Sequence, residues 1–96
     1  MSARPSALAH AIEQFLRELE SSRGASAHTL RAYRGDLAEL ARFLAENGAT
    51  APREVGPRHL RLFLAHLTER GLARTSIQRK LSAARSLFKQ LSRRGE

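Results

Sequence analysis

Apolar residues recur along most of the chain at steps of three and four, the spacing that places them on one face of an α-helix. No stretch alternates between apolar and polar residues as a half-buried strand would. The apolar clusters predict helices at approximately residues 6–22, 27–46, 57–70 and 74–93. The pattern therefore predicts an all-α fold, a compact bundle of four helices with short connections.

Residues typical of helix ends separate these clusters. Ser26 precedes the second cluster, and a serine oxygen there accepts hydrogen bonds from free amide groups. Gly24 and Gly71 follow the first and third clusters, where a left-handed residue commonly ends a helix. Gly56 and Pro57 predict a cap followed by proline at the first helical position.

The predicted core takes one face from each helix. On the fourth helix this face consists of Ile77, Leu81, Ala84, Phe88 and Leu91. We expect the following side chains to meet in one core: Leu37, Leu64, Leu81 and Phe88. Tyr33, the only tyrosine, shares a helix face with Leu37, so its ring is expected largely in that core and its role is interpreted as structural.

Positive charge is concentrated in the last quarter of the chain. The 96 residues include 17 Lys or Arg and 9 Asp or Glu, a formal net charge of +8. Residues 70–96 alone contain eight Lys or Arg against one acid. This imbalance indicates a polyanionic partner, either nucleic acid or an anionic membrane surface. The membrane alternative is weaker because the apolar faces fit a core and the chain contains no Trp.

The basic residues of the fourth helix lie on the face opposite its apolar residues and are mixed with short hydrogen-bonding side chains. This predicted basic stripe consists of Thr75, Gln78, Arg79, Ser82, Arg85, Lys89 and Arg93. A solvated helix face normally mixes charges of both signs, whereas this stripe contains no carboxylate and repels itself without an anionic partner. The stripe is therefore interpreted as a DNA-binding face, with Arg79 and Arg85 as its principal contacts.

The second helix offers weaker candidates for the same surface. Arg31 and Arg34 lie beside its apolar stripe and are predicted to contact DNA as well. Thr29 has two interpretations, as a residue of the helix cap or as a donor to phosphate. The sequence leaves both open, with the cap favoured.

The sequence shows no pattern typical of a metal site, a thiol nucleophile or a membrane-spanning segment. The chain has no Cys, so thiolate metal sites and thiol nucleophiles are excluded. The histidines are His10, His28, His59 and His66. No acidic or thiol ligand accompanies them, so we expect no metal, no cofactor and no small-molecule substrate. The longest apolar run, residues 62–65, is too short to span a bilayer, and no targeting segment is recognised; a cytoplasmic location is expected.

Two segments, SAHTLRAYRGDL at residues 26–37 and TSIQRKLSAARSLF at residues 75–88, resemble the core-binding domain of tyrosine recombinases, most closely the Xer group. The first fits that family's Ser-x-x-Thr-x-x-x-Tyr-x-x-Asp-Leu pattern. The second has its Ser/Thr start, its Leu-Ser pair and an Arg before an aromatic residue. The resemblance extends from about residue 11 to the end, and Gly56-Pro57 departs from the usual hydroxyl or acidic cap.

The resemblance implies a SAM-like domain that forms half of a clamp around double-stranded DNA, with its second and fourth helices against the duplex. In the family, strand cleavage belongs to a C-terminal domain that carries the catalytic tyrosine. Residues 1–96 are accordingly expected to be one non-catalytic domain that lacks this catalytic part. The parent protein would act in DNA recombination and integration and in chromosome partition at cell division, with other protomers assembled on DNA.

Two alternatives remain open from the sequence. The first alternative is a free-standing helical DNA-binding regulator. The second is a basic helical module that binds an acidic protein. A reading frame that continues past Glu96 into a catalytic domain would exclude the regulator. A salt-dependent affinity for duplex DNA would exclude the protein-binding module.

Overall fold

The structure, a computed structural model, describes residues 6–93. Its helices are α1 (Ala7–Arg23), α2 (Ala27–Glu46), α3 (Pro57–Glu69) and α4 (Arg74–Arg93), with a single 3₁₀ turn (Pro52–Glu54) between α2 and α3. No β-strand occurs within the described range. The predicted all-α fold of four helices is confirmed, and the predicted bounds differ by one residue at both ends of α1 and at the end of α3.

Serine side chains cap the first two helices. The Oγ of Ser6 accepts a hydrogen bond from the backbone N–H of Ala9 at 3.0 Å. The Oγ of Ser26 accepts one from the N–H of Thr29 at 3.1 Å. Each bond satisfies one of the amide groups that the first helical turn leaves without a partner, and this is why both helices begin at these residues.

The ends of α3 follow from local sequence in a different way. Pro57 is its first residue, and the preceding Gly56 donates its N–H to Nδ1 of His59 at 3.0 Å. After Glu69 the chain turns at Gly71, whose φ of 71° lies in the left-handed region that glycine adopts without strain. The predicted cap, the proline at the first position and the glycine stop are all confirmed.

The core lies between α1, α2, α3 and α4. Its largest fully buried side chains are Leu8, Leu37, Leu40, Leu44, Phe63, Leu67 and Leu87. The rings of Phe43 and Phe63 pack with their centroids 5.3 Å apart, joining α2 to α3. Tyr33 is half-buried against this core.

The prediction for Leu64 is wrong. Its side chain is 41% exposed, whereas its neighbour Phe63 is fully buried. Phe63 and Leu67 are four residues apart and fill the contact of α3 with the core, so Leu64 is turned away from it. It lies instead with Leu60 and Leu81 in an open groove between α3 and α4.

The buried face of α4 is also rotated from the predicted one. Its fully buried residues are Ala83, Ala84, Leu87 and Leu91, whereas Ile77, Leu81 and Phe88 are half-buried at its edge. At about 100° per residue, this corresponds to a rotation of roughly 60°. Small side chains at Ala83 and Ala84 allow α4 to approach its neighbours closely, and the larger apolar residues Ile77, Leu81 and Phe88 then close one side of the contact.

Candidate nucleic-acid interface

Every residue of the predicted basic stripe is exposed on α4. These exposed residues are Thr75, Gln78, Arg79, Ser82, Arg85, Lys89 and Arg93. The rotation of the buried face leaves most of them opposite the core, since a helix face spans about half of the helix circumference. Arg79 is the exception, because it lies at the edge of the stripe next to α2.

Arg79 has a counter-charge that the sequence argument did not anticipate. Its Nε lies 2.8 Å from Oδ2 of Asp36, and its Nη2 lies 3.0 Å from Oδ1 of the same carboxylate on α2. Asp36 is almost completely buried, with 3% of its side chain exposed, while 47% of the Arg79 side chain is exposed. The absence of counter-charges, which favoured DNA contact, therefore does not hold for Arg79.

The same carboxylate binds Lys80 and is part of a larger ionic cluster. Lys80 donates from Nζ to Oδ1 of Asp36 at 3.0 Å. Its Nζ also lies 2.7 Å from Oε1 of Glu39, a charge contact without the alignment of a hydrogen bond. Arg70, just after α3, donates to the other oxygen of Glu39. This cluster, Asp36, Glu39, Arg70, Arg79 and Lys80, joins α2 and α4 to the end of α3.

The cluster lowers the pKa of both of its carboxylates. Burial by itself raises the pKa of Asp36, but the hydrogen bonds and charges of Arg79 and Lys80 outweigh burial, so the pKa lies below its ordinary value. Burial also raises the pKa of Glu39, but the charges of Lys80 and Arg70 and the hydrogen bond from Arg70 outweigh burial, so this pKa is lowered as well. Both carboxylates are therefore ionised at neutral pH and form true ion pairs.

The sequence contains a signal for this cluster in the position of Asp36. Asp36 lies at helical spacings from Tyr33, Leu37 and Leu40 that place it with them on the buried side of α2. Buried acids are almost always paired with a cation or a hydrogen-bond donor. An acid in the apolar stripe of α2 thus requires a cation on a facing helix, and α4 supplies two in succession.

The middle of the stripe differs from Arg79 in this respect. Within residues 6–93, no ion pair involves Arg85 or Lys89, and no carboxylate lies on α4. Both side chains are exposed. They form an uncompensated positive surface, the kind of surface that attracts phosphate.

The candidates on α2 are not equivalent. Arg31 is exposed, while Arg34 is paired with Glu13 of α1 at the rim of an open groove between these two helices. The Thr29 hydroxyl accepts a hydrogen bond from the Ser26 hydroxyl at 3.0 Å, in addition to the backbone bond between the two residues. Thr29 thus belongs to the cap of α2, and its contact with phosphate stays a prediction.

The described residues contain neither a metal-binding group nor a helix that could span a membrane. No group of three or more His, Asp or Glu side chains in residues 6–93 is arranged to hold a metal ion. Over the same range, no helix combines the length and the apolarity that crossing a membrane requires.

Comparison with known proteins places this bundle in a family. The family model described as phage integrase, N-terminal SAM-like domain, matches residues 12–95. The chain belongs to this family. The resemblance to tyrosine recombinases drawn from the two segments of α2 and α4 is thereby confirmed.

Curated relatives of this phage integrase SAM-like domain are named as tyrosine recombinases. The tyrosine recombinase XerC of Xanthomonas campestris pv. campestris is 41% identical over 85 residues, which cover 88% of this chain and 26% of that protein. XerC of Oceanobacillus iheyensis is 37% identical over 84 residues, covering 88% and 28%. XerD of Agrobacterium fabrum is 38% identical over 84 residues, covering 88% and 25%. The chain spans about a quarter of the length of these relatives, and no solved structure matches it.

Proposed function

We propose that this SAM-like domain binds duplex DNA through the outward face of α4. The observation that carries the proposal is the pair Arg85 and Lys89, which are exposed and unpaired within residues 6–93 on a helix without a carboxylate. Such a face is unfavourable in isolation because its charges repel one another. Phosphate groups along a duplex relieve this repulsion, and the release of their counterions favours binding.

The neighbouring groups of α4 suit the same partner. Thr75, Gln78 and Ser82 are exposed beside the cations and offer hydrogen-bond donors and acceptors. Phosphate contacts fix the position of a protein on DNA, whereas polar contacts to base edges provide sequence preference. We assign Arg85 and Lys89 to phosphate, with Arg93 and Arg31 extending the positive surface along α4 and onto α2.

We further propose that the domain serves a tyrosine recombinase, holding DNA for a catalytic domain and working beside other protomers assembled on that DNA. The names of the relatives support this reading, as does the match to the family's N-terminal domain. The chemistry of strand cleavage is then assigned to the catalytic domain and not to residues 6–93. Tyr33 is half-buried against the core, an unsuitable place for a nucleophile that must reach a phosphate.

The 96-residue chain is therefore expected to form no covalent link with DNA. Incubation with a nicked duplex that traps cleaved strands, followed by denaturing electrophoresis, should show no slowly migrating adduct. Tyr33→Phe serves as the matched variant. An adduct that forms with the parent chain and disappears in Tyr33→Phe would contradict the assignment of Tyr33 to the fold.

Substitution of Arg85 by alanine should weaken binding to duplex DNA and reduce its salt dependence. Loss of one phosphate contact lowers the slope of log affinity against log salt by about one. Fluorescence anisotropy with a labelled duplex, measured between about 50 and 200 mM salt, gives this slope. Lys89→Ala is expected to behave similarly.

Arg17→Ala provides the charge-matched control. Arg17 lies on α1 in the groove that this helix forms with α2, and it belongs to no part of the stripe. Equal losses in Arg17→Ala, Arg85→Ala and Lys89→Ala would show general charge attraction and would contradict a docking face on α4. A loss of sequence preference in Arg85→Ala with an unchanged slope would instead assign Arg85 to a base edge.

A further inference from the structure

Arg79 differs from the other exposed cations of α4 in how firmly its side chain is held. Two of its nitrogens contact Asp36 at 2.8 and 3.0 Å, yet 47% of the side chain remains exposed. The long side chain of an exposed arginine normally samples many rotamers, and a bidentate contact with a buried carboxylate removes most of that freedom.

We propose that Asp36 is a positioning residue, which holds the Arg79 guanidinium in place for a phosphate group of bound DNA. This inference rests on the proposed function and assigns a role to a buried acid that does not itself contact DNA. Fixing a side chain before binding reduces the entropy lost when the complex forms.

The donors of Arg79 are divided between two directions. A guanidinium carries five N–H donors, and the contact with Asp36 uses one on Nε and one on Nη2. The remaining donors lie on Nη1 and on the outer side of Nη2, a flat edge that suits the oxygens of a phosphate. Because the carboxylate is buried beneath α4 and the side chain is half-exposed, this edge is the part of Arg79 available to a ligand.

Because Lys80 also pairs with Asp36, the ion pair between Asp36 and Arg79 does not fully neutralise Arg79. The cluster contains two carboxylates, Asp36 and Glu39, against three cations. Lys80 is the most enclosed of these cations, with 14% of its side chain exposed, and it contacts both carboxylates. Its charge balances the buried acid from within, so the cluster retains a net positive charge that its two half-exposed cations carry at the surface, Arg79 on α4 and Arg70 after α3.

If the ion pair of Asp36 and Arg79 were purely structural, substitution of Asp36 would change DNA affinity in the direction opposite to the one that a positioning role predicts. If Asp36 only neutralised Arg79, then Asp36→Asn would raise the net charge by one and tighten binding to DNA. If Asp36 positions Arg79, the same substitution weakens binding in spite of the added charge. The sign of the change therefore separates the two roles.

The test measures binding of Asp36→Asn to the same labelled duplex, at a salt concentration where the parent chain binds. We expect affinity to fall about tenfold, the equivalent of one charge-assisted hydrogen bond. Circular dichroism at the assay temperature verifies that the variant is folded. Unchanged or tighter binding by folded Asp36→Asn would overturn the proposal.

Arg79→Lys gives an independent test that keeps both the charge and Asp36. Lysine has no planar fork, so it cannot hold the carboxylate and a phosphate at once. Binding as weak as that of Arg79→Ala supports the proposal, and binding equal to the parent overturns it; this variant decides the matter if Asp36→Asn does not fold. If Arg85→Ala weakens binding while Asp36→Asn and Arg79→Lys do not, the proposed function stands and only the role of Asp36 fails.

Discussion

Replacement of Phe63 by alanine is expected to lower the free energy of unfolding by about 3 to 5 kcal/mol. The ring is fully buried between α2 and α3 and packs 5.3 Å from the ring of Phe43. Its removal leaves a cavity that the surrounding helices fill only in part. A domain of this size has a total stability of about 5 to 14 kcal/mol, so the variant would lose a large share of it.

Leu64→Ala is the natural comparison because it alters the next residue of the same helix. With 41% of Leu64 exposed, its loss is expected to cost less than about 1 kcal/mol. Urea denaturation followed by circular dichroism measures both variants under one set of conditions. Similar midpoints for Phe63→Ala and Leu64→Ala would mean that α3 faces the core differently from the structure.

Asp36→Ala is expected to cost about 3 kcal/mol, near the lower end of the range for breaking a buried ion pair. The substitution leaves Lys80 enclosed with Glu39 as its remaining partner. The value lies at the lower end because Arg79, the second partner, is half-exposed and returns readily to water.

The stability that Asp36→Ala loses should be smaller in acid than at neutral pH. Hydrogen bonds and charges from Arg79 and Lys80 hold the pKa of Asp36 below its ordinary value in the folded state. The stabilisation is therefore fully present above the unfolded pKa of about 3.9 and is lost as the pH falls through the lower, folded pKa. Denaturation at about pH 7 and about pH 2.5 should show the difference between parent and variant shrinking in acid.

Glu13→Ala is a suitable control for this measurement. Glu13 also pairs with an arginine, Arg34, but both side chains are about half-exposed, at 48% and 56%. Its removal is expected to change stability by less than about 1 kcal/mol at either pH. If the cost of Asp36→Ala were the same at both pH values, it would arise from lost packing and not from the ion pair.

The parts of the fold that the sequence predicted well depend on short-range features. The bounds of α2 and α4 agree with the structure because local residues determine where a helix begins and ends, as Ser26 does through its bond to Thr29. The same holds for Gly56, Pro57 and Gly71 around α3. Such features act over three or four residues and do not require the tertiary structure.

The wrong predictions concern side chains whose burial depends on how neighbouring helices pack. The predicted face of α4 was weighted toward large residues such as Leu81 and Phe88, whereas the buried face is bounded by the small residues Ala83 and Ala84, with Leu87 between them. Periodicity also placed Leu64 in the core with Leu37, although the core accepts only the side of α3 that carries Phe63 and Leu67.

The ionic cluster could not be derived from helix periodicity alone. Lys80 lies on the same helix as the outward cations, and only the docking of α2 on α4 shows that it points inward to Asp36. The α4 residues of the candidate site are all exposed, as their spacing predicted, while their contact with DNA stays a prediction. The internal organisation of the site depends on contacts between residues more than 40 positions apart.

The separation between the cluster and the rest of α4 has a consequence for redesign. Thr75, Gln78, Ser82, Arg85 and Lys89 point away from the core, so a library that randomises these five positions should preserve the scaffold. Arg79 and Lys80 belong to a different category, because each is tied to Asp36. Grafting a new recognition surface onto this bundle therefore requires these three residues to be kept or exchanged as a set.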